Sequence, residues 1–242
     1  MSDNGRLAGR RALITGASRG LGRAIAAAAQ AEGAACALLG RSLTDPLHGA
    51  IAVRADVADA DAVGSAVAQT AERLGGLDAV VCAAGIDCKW APTGEMELAE
   101  WDRTIAVNLS GTFYVCRAAL PYLVASGGGA IVNVTSVAGL RAWPQDVAYN
   151  ASKAGVELLT RTIAVEYGGH GVRANCLAPG VIDAGMTDAI TDPAERERMV
   201  AQHPLGRLGR ASEVAEAAVW LLSDAAGFST GTTLTVDGGF LA

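Results

Sequence analysis

Tyr149 and Lys153 stand four residues apart, and the scarcity of lysine makes that spacing informative. The 242 residues hold four tyrosines and only two lysines, Lys89 and Lys153, so a Tyr-x-x-x-Lys pair is expected by chance about 0.03 times. The run Ala148-Tyr149-Asn150-Ala151-Ser152-Lys153-Ala154-Gly155-Val156-Glu157-Leu158-Leu159 has apolar residues at helical spacing and no proline, which puts both side chains on one helix face. An ammonium beside a phenol favours the phenolate and draws the tyrosine pKa toward working pH. Tyr149 is therefore a candidate general acid or base. Standing alone, such a pair is more often a surface Tyr and Lys one turn apart.

A second pattern accompanies it. The apolar run Arg11-Ala12-Leu13-Ile14 leads into Thr15-Gly16-Ala17-Ser18-Arg19-Gly20-Leu21-Gly22 and then an alanine-rich helix former from Arg23 to Gln30. Strand, glycine turn and helix in that order set backbone N–H groups and the positive end of a helix dipole against a diphosphate. The spacing Gly-x-x-x-Gly-x-Gly is one residue longer than the G-x-G-x-x-G fingerprint, and a tight β-to-α connection is the plain alternative.

With Ser136 closing the run from Ala130 to Thr135, thirteen residues before Tyr149, Asn108 in Ile105-Ala106-Val107-Asn108-Leu109, and the pair Pro179-Gly180, the chain resembles the short-chain dehydrogenase/reductase family over nearly its whole length. The resemblance implies a catalytic set of Asn108, Ser136, Tyr149 and Lys153. It implies hydride transfer between the nicotinamide C4 and a carbonyl or alcohol carbon, with the proton passing through Tyr149. Ser136 would then hydrogen-bond the substrate oxygen, Lys153 would lower the Tyr149 pKa and hold the nicotinamide ribose, and Asn108 would hold a water linking Lys153 to solvent. Cofactor contacts carried over with it are Gly16, Ser18, Arg19, Gly20, Leu21, Asp56, Val57, Ala83, Ala84, Gly85, Val107, Tyr149, Lys153, Pro179, Gly180 and Ile182.

Cofactor choice turns on the end of the second strand, where an acidic side chain would bind the adenosine ribose of NAD and repel a 2′-phosphate. That position reads Gly40, followed by Arg41 and Ser42. With Arg19 in the glycine turn, two guanidiniums suit a phosphate better than a hydroxyl, so NADP(H) is expected ahead of NAD(H). The alternative is a pair of solvated arginines, since arginine supplies seventeen of the nineteen basic residues. Asp56 could equally cap the helix from Asp59. Two departures from the family pattern bear on cofactor affinity. Asn-Asn-Ala-Gly after the fourth strand is here Cys82-Ala83-Ala84-Gly85, which predicts reduced local rigidity. A frequent threonine is Ala184, with Thr187 as a possible substitute.

These residues need a scaffold. Apolar runs near Ala12–Ile14, Ala35–Leu39, Ile51–Arg54, Asp78–Cys82, Ala130–Val134, Arg173–Ala178 and Leu234–Val236 alternate with helical patterns, which predicts one α/β, doubly wound (Rossmann) domain over 1–242: a seven-stranded parallel sheet with helices on both faces. The segment between Leu39 and Ile51 is short and broken by proline, so a loop or single turn is expected there. A composition that is 51% hydrophobic supports one large core. Residues 182–206 are expected to form a substrate lid.

Composition excludes several function classes. A net charge of −6 gives no electrostatic footprint for nucleic acid or an anionic membrane. No apolar stretch reaches membrane-spanning length and no basic-then-apolar leader opens the chain, so a cytoplasmic location is expected. Five cysteines without a C-x-x-C pair read as buried reduced thiols. His48, His170 and His203 lack ligand spacing, so no metal is expected in catalysis. The family commonly forms tetramers, and Leu109–Ala125, Val147–Tyr167 and Thr232–Ala242 would supply the surfaces of a homotetramer or homodimer.

Pocket candidates are Ile86–Trp90, Val137–Trp143 and Val181–Leu205, the last carrying Met186 and Met199. Trp90 and Trp143 are either substrate platforms or packing residues. A free small-molecule ketone or alcohol is ranked above a 3-oxoacyl-(acyl-carrier-protein) thioester, because Gly127-Gly128-Gly129 and His170 stand where carrier-docking bases are frequent. A dinucleotide sensor without catalysis is the reading from another class.

Overall fold

The computed structural model describes residues 5–43, 47–185 and 191–242. Seven short runs of small and β-branched residues form the strands: β1 (Arg11–Thr15), β2 (Ala35–Gly40), β3 (Ile51–Arg54), β4 (Ala79–Cys82), β5 (Gly129–Val134), β6 (Val172–Pro179) and β7 (Thr233–Val236). All pair in parallel, in the order β3-β2-β1-β4-β5-β6-β7. The chain turns from one half of the sheet to the other between β1 and β4, and the crevice of such a sheet opens there, beyond the carboxyl ends of the strands.

Because strands covered on both faces have no solvent side, β1, β4 and β5 are almost continuously buried. Helices α1 (Gly20–Ala31) and α7 (Ala211–Leu222) pack together on one face, around Ile14, Ile25, Leu38, Val132, Val214 and Leu221. Helices α2 (Ala60–Leu74), α4 (Gly111–Ala125) and α5 (Val147–Tyr167) cover the other, around Leu13, Leu39, Val67, Leu123, Ile131 and Ile163. Each such fully buried Leu or Ile contributes about 1.5–3 kcal/mol. Two shorter helices, α3 (Leu98–Ile105) and α6 (Pro193–Ala201), flank this body.

Local chemistry sets the ends. Helix α2 starts where the Asp59 carboxylate accepts from the N–H groups of Asp61 and Ala62, and it stops at Gly75 in the left-handed region, φ +76°. Asp56 therefore does not cap it; its carboxylate accepts from Ala58 N at 3.1 Å. At the amino ends of the two central strands, Asp78 accepts from Arg11 Nε and Nη2 at 2.7 Å each and from Arg11 N at 3.0 Å, locking β4 onto β1.

The expected strands agree with the structure to within a residue or two. The described residues between β2 and β3, 41–43 and 47–50, contain no helix, and Ala50 N closes a turn onto Leu47 O. Thr44, Asp45 and Pro46 lie outside the described residues. All five cysteines are buried free thiols, and burial pushes Cys36 and Cys176 up to about 12. Among the described residues no helix is long and apolar enough to cross a membrane.

One feature has no signature in the sequence. Helix α3 runs into α4 through a π-helical turn, Ala106–Ser110, with neither glycine nor proline inside it. Such bulges recur at functional sites, and this one carries Asn108.

Candidate active site

Two connections flank the crevice. The first is the glycine turn after β1, where Gly16 and Gly20 take φ +67° and +56°, conformations that favour glycine. A Cβ on Gly16 would stand 2.7 Å from the Ala83 carbonyl oxygen and from Ala84. The turn is thus pressed against the second connection, the segment after β4. Thr15 ties the two together: its hydroxyl accepts from the N–H groups of Ala83 and Ala84, both at 3.1 Å. These bonds hold the Ala83 and Ala84 backbone although both amide side chains of the family pattern are absent. The Cys82 and Cys116 thiols, 3.9 Å apart, fill the space beneath.

Asn108 holds the next residue of that segment. Its Oδ1 accepts from Ile86 N at 2.8 Å, and its Nδ2 donates to Ile86 O at 2.9 Å and to Ser152 Oγ at 3.1 Å. Ser152 in turn donates to the Tyr149 carbonyl at 2.8 Å. Asn108 is 1% exposed, and its amide joins the π turn, the segment after β4 and helix α5. Ser152 was missed as a site residue although it lies inside the Tyr-to-Lys motif.

Tyr149 and Lys153 share one face of α5, with the ammonium 5.5 Å from the ring centroid. Lys153 is 5% exposed and donates from Nζ to the Val134 carbonyl at 2.9 Å, at the end of β5. A Cβ on Gly85 would lie 3.5 Å from both Lys153 Nζ and Asn108 Oδ1. Ser136 begins the turn Val137–Gly139, accepts from Ala138 N at 3.1 Å, and stands near enough to the Tyr149 hydroxyl to favour its ionised form. Asn108, Ser136, Tyr149 and Lys153 thus come together around the crevice.

The electrostatics correct one expectation. Loss of water around the Tyr149 hydroxyl pushes its pKa above the usual phenol value; Ser136 opposes this, and Asp87, Asp146 and Cys88 add to it. Burial pushes Lys153 itself down to about 8, against the attraction of Cys176, Cys82 and Glu157. A buried ammonium with its own pKa depressed does not overcome desolvation of the phenol. In this structure Tyr149 is held as the protonated acid.

The residues present fit a dinucleotide. The first turn of α1 opens at Arg19 with no side-chain cap, so its N–H groups and dipole face the crevice as an anion site. Ser18 and Arg19 are exposed there, Gly20 and Leu21 partly so. Arg41 and Ser42 are exposed beyond β2, and Arg41 Nη1 lies 3.9 Å from Asp56 Oδ2. Val57 is buried, with its side chain against Gly111, and Val107 is half-buried in the π turn. Gly180 is pressed against Asp237 at the end of β7, and Ile182 packs into the core beside Gly209. Met186 and Thr187 lie outside the described residues. Trp143 stacks on Phe240 with centroids 5.5 Å apart, a packing role, whereas Trp90 is 46% exposed. His203 is structural: buried, it bonds Met199 O through Nδ1 at 2.7 Å and accepts from Val181 N at 3.3 Å.

Known proteins match this arrangement from end to end. A family model described as enoyl-(acyl carrier protein) reductase matches residues 16–241. A cis-4-hydroxycyclohexanecarboxylate dehydrogenase of Sinomonas cyclohexanicum is 41% identical, with 96% of each chain covered. The 3-oxoacyl-(acyl-carrier-protein) reductase FabG of Staphylococcus aureus is 37% identical over 94% of this chain and 96% of its own. A gluconate 5-dehydrogenase of Burkholderia cenocepacia, solved in complex with NADP and tartrate, superposes with a TM-score of 0.93 at 34% identity, covering 98% of this chain and 97% of that one. The parallel sheet, the glycine turn at its switch point and these matches make the chain a member of the short-chain dehydrogenase/reductase family of oxidoreductases.

Proposed function

We propose that the protein is an NADP(H)-preferring oxidoreductase that moves a hydride between nicotinamide C4 and the carbon of a small ketone or secondary alcohol, with Tyr149 as general acid and base. The observation that carries this reading is the meeting of Ser136, Tyr149 and Lys153 beside Gly85, next to a helix N-terminus built for a diphosphate. When bound, the nicotinamide supplies the hydride chemistry.

The residues supply the rest. Ser136 donates to the substrate oxygen and stabilises its developing charge, a role worth about 2.7–4 kcal/mol for one well-placed donor. Tyr149, protonated at neutral pH, gives its proton to that oxygen during reduction and takes it back during oxidation. Lys153 orients the ribose and, as an ammonium, stabilises the phenolate left behind. Asn108 positions Tyr149 through Ser152 and holds Ile86 at the pocket wall. Arg19 and Arg41, with Gly40 in place of an acid, support the preference for a 2′-phosphate. The segment 182–206, of which residues 186–190 lie outside the described residues, is with α6 the proposed lid over the substrate, and exposed Phe113, Leu158 and Val165 on α4 and α5 support assembly into a homodimer or homotetramer.

The test follows NADPH and NADH consumption across cyclic ketones, diketones and aryl ketones. NADPH-dependent turnover that falls at least a thousandfold in Tyr149→Phe supports the reading. Full activity in that variant would sink it, and equal use of NADH would sink the cofactor preference. A carrier-bound acyl substrate is the second reading, favoured by likeness to acyl-carrier-protein reductases. Gly127-Gly128-Gly129 speaks against it, so a 3-oxoacyl carrier thioester belongs in the same panel.

A further inference from the structure

Helix α5 carries three ionisable side chains along one stripe: Tyr149, Lys153 and Glu157 follow one another at intervals of four residues. The proposed chemistry uses the first two and leaves Glu157 without a role. Glu157 is 5% exposed, and a carboxylate withdrawn from water is costly unless its oxygens are met. One of them is met, because Oε2 accepts from the Thr233 hydroxyl of β7. The other, Oε1, is buried without a hydrogen-bond partner. Arg161, a further turn along α5, is exposed.

The carboxylate shares its surroundings with Lys153. That ammonium is also 5% exposed, and it gives one donor to the Val134 carbonyl at the end of β5. The groups that act on it are Cys176 on β6, Cys82 on β4 and Glu157 on its own helix. Burial pushes Cys176 up to about 12, and the Cys116 thiol together with burial pushes Cys82 up in the same sense. Both thiols are therefore uncharged at neutral pH, and Tyr149, on which Asp87, Asp146 and Cys88 bear, is held protonated. Of the three groups acting on Lys153, Glu157 is left as the carrier of negative charge. Burial by itself draws the proton off a lysine, and in so dry a setting an opposite charge one helical turn away opposes this without direct contact.

We propose that Glu157 is a positioning residue that acts through Lys153: its buried carboxylate holds the lysine as the ammonium across the working pH range. The proposal rests on the reading of Lys153 as the cation that stabilises the Tyr149 phenolate. Because Thr233 fixes the carboxylate from β7, the charge on Lys153 depends on a contact between α5 and the edge strand of the sheet.

The presence of only two lysines makes a direct reading simple. In protein whose lysines carry carbon-13 at Cε, with Lys89→Arg to assign the signal of exposed Lys89, the Lys153 resonance should titrate with a midpoint of about 8. In Glu157→Gln that midpoint should fall by about one unit, whereas in Glu157→Asp, which keeps the charge, it should stay within about half a unit. Should Glu157→Gln not fold, Glu157→Leu, which leaves no polar group buried at that position, takes its place. An unchanged midpoint in the variant that removes the charge overturns the proposal. Kinetics provide the second reading: with a ketone that the enzyme reduces, kcat/KM of Glu157→Gln should about equal the parent value at pH 6 and fall about tenfold below it at pH 9. An equal loss at every pH is the mark of a merely structural residue and also overturns the proposal. The resonance needs no turnover, so a lowered midpoint supports the role of Glu157 even if no ketone is reduced, while the reading of Tyr149 and Lys153 as catalytic is decided by activity alone.

Discussion

Replacing Asn108 by alanine separates two roles for this residue. If Asn108 only held a water in a proton relay, its loss would slow turnover and leave stability alone. The structure predicts a large stability loss, because the side chain makes three hydrogen bonds from a position 1% exposed to solvent. Truncation removes both partners of the Ile86 backbone amide and one partner of Ser152. A buried polar group deprived of its partner costs about 1–3 kcal/mol. Ile86 is only partly buried, and water entering the space would recover some of that cost, so about 2–4 kcal/mol in total is expected. For a chain of this length each kcal/mol moves Tm by about 2–4 °C, which gives a fall of roughly 5–15 °C. Calorimetry on the protein without cofactor reads this directly. A Tm within 2 °C of the parent, with activity lost, would refute the argument and leave the relay as the whole role.

Two predictions concern pH. Burial lowers Lys153 to about 8, so kcat/KM for ketone reduction, which reports the free enzyme, should hold below that pH and decline as the ammonium is lost above it; a flat profile from pH 7 to 10 would contradict this. The Arg11 guanidinium beside Asp78 holds that carboxyl below the usual carboxylate range. The pair's contribution is therefore complete above about pH 4 and lost as pH falls through the depressed value. Asp78→Ala should cost about 2 kcal/mol at pH 7, and urea titrations should show that difference shrinking toward pH 2–3; a difference that grows on acidification would reverse the assignment.

Local signals carried much of the fold. Each strand is a short apolar run, the glycine turn is contiguous, and Tyr149 and Lys153 share a helix face by spacing alone, so all of these were legible from Arg11 to Val236. The glycines also served an unforeseen end. A Cβ on Gly22 would stand 2.5 Å from the Gly16 carbonyl oxygen, so this residue is required by the packing of the turn itself, whatever binds there.

What the sequence by itself determined was therefore the class of the molecule: the parallel sheet, the switch point and the positions of the candidate catalytic residues. Only the tertiary structure decided how those groups are held and charged. Asn108 reaches Ile86 across 22 positions, and Cys88 reaches Asp146 across 58; no local pattern encodes such meetings. The same holds for the Tyr149 pKa. Spacing placed an ammonium beside the phenol and predicted a lowered value, but desolvation by the surrounding fold pushes it up. Periodicity and motif are short-range properties of the chain, whereas burial and electrostatics sum over everything that the fold brings near a group.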